Sequence, residues 1–246
     1  MAGIRFEGVS LTYPLFDLQA SFLRNQIAKW MSLGLLRRRG GQVRSIAALC
    51  DVDLEIGKGD RVGLYGHNGA GKSTLLRAMA GIYPPQRGRI VVHGQAAMLF
   101  DIEAGLDPEL SGRENVLNLG LIMGLSVAQC RGIEPEVLAF SGLEEWRDVP
   151  VGAYSSGMRM RLLFAVATAV TPEILLLDEW FSTGDAEFQD KSLRRLRQMM
   201  DRTHITVLAS HDRQLLRRYC NRVFVLEHGR LREVAPSALW LIRGKK

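Results

Sequence analysis

Nine residues, "GHNGAGKST" at positions 66–74, fit the pattern G-x-x-x-x-G-K-[ST] and pose the chemistry of holding a phosphate chain. Gly66, Gly69 and Gly71 would let consecutive backbone N–H groups turn inward, and a following helix would add the positive end of its dipole. His67, Asn68 and Ala70 complete the loop. Lys72 has the reach for the outer phosphates, the Ser73 hydroxyl suits Mg²⁺, and Thr74 follows it into the helix. A glycine turn is the bland reading. The placement after an apolar run at 61–65 and before a helix-compatible run at 75–80 favours phosphate binding.

A second stretch, "ILLLDE" at 174–179, is an apolar run ending in two carboxylates. Adjacent side chains of a strand point to opposite faces, so the two acids can hold different jobs. Asp178 suits the Mg²⁺ shell through water, and Glu179 suits polarising an attacking water. Alone, such an ending is as readily a solvated strand tip; the phosphate loop on the same chain favours chemistry. A third run, "ITVLASHD" at 205–212, places Ser210, His211 and Asp212 just past its apolar part. There His211 is read as a hydrogen-bond donor to a terminal phosphate, against the alternative of a structural histidine. "YSSGMRMRL" at 154–162 asks a different question. Ser155, Ser156 and Gly157 precede a good helix and read first as a cap, with no ligand nearby in sequence.

The elements that must position these groups follow from periodicity. Alternating Ile4, Phe6, Val9 and Leu11 predict an early strand, and Val52, Leu54 and Ile56 another, closed by a turn at 57–60. Apolar runs at 61–65, 174–177, 205–209 and 223–226 predict buried parallel strands of an α/β sheet, most of them separated by helix-length segments. Residues 88–99 and 223–234 read as antiparallel hairpins, the latter turning at His228-Gly229. The stretch 107–151 carries Leu at helical spacing broken by Gly and Pro, and is expected to be a helical insertion. Residues 18–36 place Phe22, Leu23, Ile27, Trp30 and Met31 on one helical face, ahead of Arg37, Arg38 and Arg39.

The 246 residues, 47% hydrophobic and 24% charged, make global disorder an unsuitable description. Cys50, Cys130 and Cys220 lie far apart, without zinc spacing, and read as buried thiols of a reducing compartment. No signal sequence or membrane span is expected. A net charge of +6 points to an anionic partner, whether nucleotide, nucleic acid or the cytoplasmic leaflet. Between Asp17 and Asp51 there is no acid, but there are Arg24, Lys29, Arg37, Arg38, Arg39 and Arg44.

With the loop at 66–74, "YSSGM" at 154–158, "ILLLDE" and His211 in that order, the chain resembles an ABC-type ATPase. The resemblance implies a P-loop NTPase (RecA-like) α/β core with an antiparallel β subdomain and an inserted helical subdomain at 102–155. Tyr154, Ser155, Ser156, Gly157 and Met158 stand at the family's signature, which closes in trans over ATP held by a second copy, Ser155 and Gly157 facing its γ-phosphate. The resemblance further implies Asp185 as the D-loop carboxylate and Asp101 as a metal contact where the family has glutamine. Tyr13 is placed as the adenine-stacking aromatic, with Phe16 as the alternative.

"GLDPELSGREN" at 105–115, "GDAEFQDK" at 184–191 and the insert before Val52 are together similar to ATP-binding subunits of bacterial polysaccharide exporters of the Wzt, KpsT and TagH type. The expected protein is one nucleotide-binding domain over 1–246, without a C-terminal carbohydrate-binding domain. It would bind ATP and Mg²⁺, form a homodimer and work with a multispanning permease, peripherally on the cytoplasmic face of the bacterial inner membrane. The basic amphipathic insert at 18–46 would meet phospholipid or the lipid-linked glycan; the bland alternative is a segment packed on its own core. A soluble ABC-type ATPase acting on nucleic acid or ribosomes is the alternative, disfavoured because the chain carries neither a long coiled-coil insertion nor two cassettes, and no nucleic acid is expected. A P-loop kinase would lack the 154–158 stretch.

Overall fold

The structure is a computed structural model describing residues 2–14, 36–39, 42–99, 105–178 and 186–241. The chain divides into two compact units, residues 1–96, 176–179 and 204–246 in the first and 97–175 and 180–203 in the second.

In the first unit β1 (Gly3–Pro14), β2 (Leu36–Arg39), β3 (Gln42–Gly57) and β5 (Arg87–His93) make a four-stranded sheet in the order β2-β3-β1-β5. Every pairing is antiparallel. Along β1 the buried positions pass from even, Ile4 and Phe6, to odd, Val9 and Leu11. That change of parity needs an extra residue, and the register with β3 slips between Phe6 and Val9, where Gly8 takes φ 56°. The second strand begins at Gln42, ten residues before Val52, because its N-terminal half pairs with β2 and not only with β1. Arg37, Arg38 and Arg39 therefore lie on a strand, not on the flank of a helix. Residues 18–35 of the amphipathic segment are outside the described residues.

The other sheet runs β10-β9-β4-β8-β7-β6 and uses β4 (Arg61–Tyr65), β6 (Ala96–Met98), β7 (Ile174–Asp178), β8 (Ile205–Ser210), β9 (Arg222–Glu227) and β10 (Arg230–Val234). β4 is parallel to both β8 and β9. All six residues of β8 are buried, as a strand covered on both faces requires. His228 at φ 51° and Gly229 at φ 74° close the β9–β10 hairpin, the pair of positive angles that a tight two-residue turn demands. The expected hairpin at 88–99 does not form. β5 pairs with β1 through Phe6↔Ile90 and Ile4↔Val92, and β6 belongs to the other sheet. Among its described residues the first unit also holds the α-helices α1 (Lys72–Met79) and α6 (Arg213–Tyr219).

The second unit holds α2 (Gly112–Ile122), α3 (Val127–Ser141), α4 (Ser156–Ala167) and α5 (Ala186–Arg202). Its core gathers Val116, Leu119, Val137, Leu138, Leu162 and Val166. Capping boxes start α2, from Ser111 and Glu114, and α3, from Ser126 and Gln129. Pro135 lies inside α3, which continues through it to Ser141. "GLDPELSGREN" is the entrance to this unit. The fully buried Asn115 accepts from Asp107 N–H at 2.8 Å and donates to the carbonyls of Asp107, Leu110 and Ser111 at 2.9 to 3.0 Å.

Candidate active site

The 66–74 loop leaves the C-terminal end of β4, a central strand with β8 and β9 on either side, and enters α1. Such a crevice at strand C-termini is where open α/β sheets take ligands. Gly71 caps α1 at φ 107°, and a methyl group there would meet the Ala48 carbonyl at 2.6 Å. At Gly66 it would meet the Leu226 carbonyl at 2.7 Å. Only glycine lets the loop pass between β3 and the end of β9 this closely. The first turn of α1 contains no acid, so the helix end keeps its positive character.

Lys72 is 6% exposed, and its Nζ donates to the carbonyls of Gly66 at 2.8 Å and His67 at 3.2 Å. A buried ammonium must be satisfied locally, and here the loop that it would serve does so. A cleft of about 580 Å³ opens beside it, lined by Asn68, Gly69, Gly71, Lys72, Ser73 and Thr74, by Asp178 at the tip of β7, and on the other wall by Tyr13 and residues 46–48. Ser73 and Asp178 thus share one cavity, as their expected metal roles require. The lining offers a cation the Ser73 hydroxyl and the Asp178 carboxylate, oxygen donors that phosphate oxygens and water would complete. That donor set fits Mg²⁺.

Tyr13 is held from three sides. Its hydroxyl donates to Thr74 Oγ1 at 3.1 Å, its ring meets the edge of Tyr83 with centroids 5.6 Å apart, and its backbone pairs with Ile46. Burial is the largest cause holding the Tyr13 phenol above its usual range. Sequence reasoning missed Thr74 as the partner of this hydroxyl, and missed residues 46–48 as a cleft wall. The signal lay in Ala47 and Ala48, small residues at the point where the Ala48 carbonyl approaches Gly71.

His67 is exposed, with Nδ1 2.8 Å from the Asn68 carbonyl and its ring edge toward His228. Its side chain, with Gly66 and Ala70, is not among the cleft-lining groups. His211 is exposed at the end of β8 and is likewise not in the lining, while Asp212 caps α6 by accepting from the N–H groups of Gln214 and Leu215. Asp101, Glu179, Asp185 and Phe16 lie outside the described residues.

In the second unit Ser155 is the N-cap of α4, its Oγ accepting from Met158 N–H at 3.2 Å. Tyr154 corrects an expectation. It is 3% exposed, its hydroxyl donates to the Trp146 carbonyl at 2.6 Å, and a methyl group on Gly112 would strike that hydroxyl at 2.4 Å. An aromatic ring in that position packs the core and cannot face another molecule. Ser155 and Ser156 are exposed, and a methyl group on Gly157 would find only Ser155 Oγ, at 3.9 Å.

A phosphate loop at a parallel-strand crevice, a carboxylate at the tip of β7 in the same sheet and an inserted helical unit define a P-loop ATPase. The pattern described as ABC transporter matches residues 49–182, more than half of the chain. The chain belongs to the ABC transporter family. It is 48% identical over 239 residues to the O-antigen export system ATP-binding protein RfbE of Yersinia enterocolitica, covering 97% of this chain and all of that protein. It is 34% identical to an RfbB of Klebsiella pneumoniae named for the same system, covering 95% and 94%. The teichoic acids export ATP-binding protein TagH of Listeria innocua is 32% identical, with 95% of this chain aligned to 67% of that one. A solved dimeric ATP-binding cassette in a post-hydrolysis state with ADP and Pi shares the fold at TM-score 0.68 and 21% identity, covering 95% and 98%.

Proposed function

We propose that this chain is the ATP-binding and ATP-hydrolysing subunit of an exporter that moves a lipid-linked polysaccharide, such as an O-antigen, across the bacterial inner membrane through a separate permease. The cleft that joins Lys72, Ser73 and Asp178 carries the ATPase part. The resemblance to RfbE along its full length carries the export part. These relatives favour export over action on nucleic acid.

The loop at 66–74 takes the phosphates, with Lys72 leaving its carbonyl partners for the outer oxygens. Tyr13 forms the adenine wall. Ser73 and Asp178, with Asp101, would hold Mg²⁺, which would neutralise phosphate charge. Water attacks the γ-phosphorus and the bond to the ADP oxygen breaks. Glu179 takes the proton, and His211 donates a hydrogen bond to the γ-phosphate. Two copies face each other, and Ser155, Ser156, Gly157 and Met158 of each complete the other's site, with Asp185 crossing the dimer. Gly157 supports this reading. Helices favour alanine over glycine, and among the described residues only Ser155 Oγ, at 3.9 Å, lies near the place a methyl group would take.

Among the described residues no helix is long and apolar enough to cross a membrane. The proposed permease supplies the path. The basic segment at 18–46 is the surface proposed to meet phospholipid or the lipid-linked glycan on the cytoplasmic face. Replacing Arg37, Arg38 and Arg39 together is expected to reduce export and spare ATP hydrolysis. Glu179→Gln is the test of the ATPase assignment: it should accumulate an ATP-bound dimer, and an unchanged hydrolysis rate would remove Glu179 from its role. Co-purification with a multispanning protein from detergent-solubilised membranes tests the transport assignment.

A further inference from the structure

The cleft wall made by Tyr13 raises the question of what holds the end of β1 in place. On the β5 side, pairing stops at Ser10↔Arg87. In an antiparallel strand the next residue whose N–H and C=O both point to that edge is Thr12. No residue of β5 reaches it. Gln86 does, through its side chain. Its backbone N–H donates to the Ser10 carbonyl at 3.1 Å, its Oε1 accepts from Thr12 N–H at 3.0 Å and from the Thr12 hydroxyl, and its Nε2 donates to the Thr12 carbonyl at 2.6 Å. A carboxamide offers one donor and one acceptor at the spacing of a peptide unit, so Gln86 extends the sheet by one residue that is not part of its strand.

The same short loop carries Tyr83, whose ring edge meets Tyr13. Pro84 and Pro85 separate the two contacts, and consecutive prolines fix the backbone between them. The loop thereby grips β1 at two successive residues, Thr12 by hydrogen bonds and Tyr13 by its ring. Beyond this point the described part of β1 ends at Pro14.

We infer that Gln86 is a positioning residue for nucleotide binding: its carboxamide clamps Thr12 and thereby sets the direction of Tyr13, which serves as the base wall of the cleft. The inference rests on the proposed role of Tyr13. It separates two parts of the ligand, since Gln86 bonds to Ser10 and Thr12 on the base side and reaches the loop at 66–74 only through the Tyr13 hydroxyl on Thr74.

The experiment measures affinity for ATP and for inorganic tripolyphosphate, with thermal melting as the control for folding. Gln86→Met keeps length and loses both hydrogen-bonding ends, and Gln86→Glu keeps the acceptor but sets a carboxylate against the Thr12 carbonyl. Because the side chain is exposed, each variant should weaken ATP binding about 2- to 5-fold and leave tripolyphosphate affinity unchanged. In steady state the change should appear in KM and not in kcat. Equal loss for both ligands, or no loss for ATP, would overturn the inference. Tyr13→Ala runs beside them; it also removes the hydroxyl that donates to Thr74, and should weaken ATP by a larger factor than it weakens tripolyphosphate. If Tyr13→Ala weakens ATP and the Gln86 variants do not, the base wall stands and the clamp falls. If Tyr13→Ala changes nothing, the base-wall reading fails and the clamp falls with it.

Discussion

Two glycines of this chain sit at helix starts, and they are kept for opposite reasons. Gly71 begins α1 with φ 107° and a backbone carbonyl 2.6 Å from where a side chain would start. The fold requires it. Gly157 lies one residue into α4, whose cap is already supplied by Ser155, and open space surrounds it. No described residue occupies the space its side chain would take. The difference fits the proposal that the phosphate loop is completed within one chain while Ser155 and Gly157 serve a second copy.

The contrast breaks most sharply on the phosphate loop. Lys72→Ala should lower ATP affinity by about 100-fold or more, as lost contacts to charged phosphate groups would. Gly71→Ala should lose binding comparably, since left-handed geometry and a backbone clash oppose the methyl group together. Gly157→Ala is the counterpart. Its melting temperature should hold or rise, by up to about 1 kcal/mol of stability, with ATP binding kept. Hydrolysis should nonetheless fall. Ser155→Arg should likewise bind ATP normally and fail to turn it over, measured by nucleotide titration beside a phosphate-release assay.

Smaller effects test what presents α4. Asn115→Ala removes one acceptor and two N–H groups shared among three carbonyls from a fully buried site, and should cost about 2 to 4 kcal/mol in chemical denaturation. Tyr154→Phe deletes the hydroxyl alone, for about 1 kcal/mol, with ATP affinity unchanged. The smallest is a pH effect in the first unit. Arg222 grips Glu233 through Nε at 2.7 Å and Nη2 at 3.0 Å and, through that hydrogen bond, holds its carboxyl below the ordinary range. A depressed carboxyl stabilises the fold above its unfolded pKa, and the gain is lost as the pH falls through the folded value. Glu233→Gln should therefore flatten the acid limb of the stability curve by a few tenths of a kcal/mol, an exposed pair being well screened.

The loop at 66–74 was legible because phosphate chemistry dictates both residue types and spacing. The strands β4, β7, β8 and β9 were legible because continuous burial leaves short apolar runs. The first half of β3 was not, since Ala47, Ala48 and Cys50 break the alternation that marks Val52, Leu54 and Ile56. The partner of β5 could not be read locally either, because Ile90 and Val92 meet residues more than eighty positions away. Tyr154 was misread by treating 154–158 as one binding unit, although an aromatic side chain ahead of a capping serine is a core anchor. Gln86 had no periodic signal at all. A side chain standing in for a strand residue leaves no mark on the pattern.

One mixing experiment tests the central claim that each site is built from two copies. Lys72→Ala and Ser155→Arg are each expected to be inactive alone. Mixed, they form heterodimers in which the intact phosphate loop of one chain meets the intact Ser155 of the other. The mixture should recover hydrolysis up to about a quarter of the normal rate, from half the dimers carrying one good site of two. A mixture as inactive as its components would contradict the account.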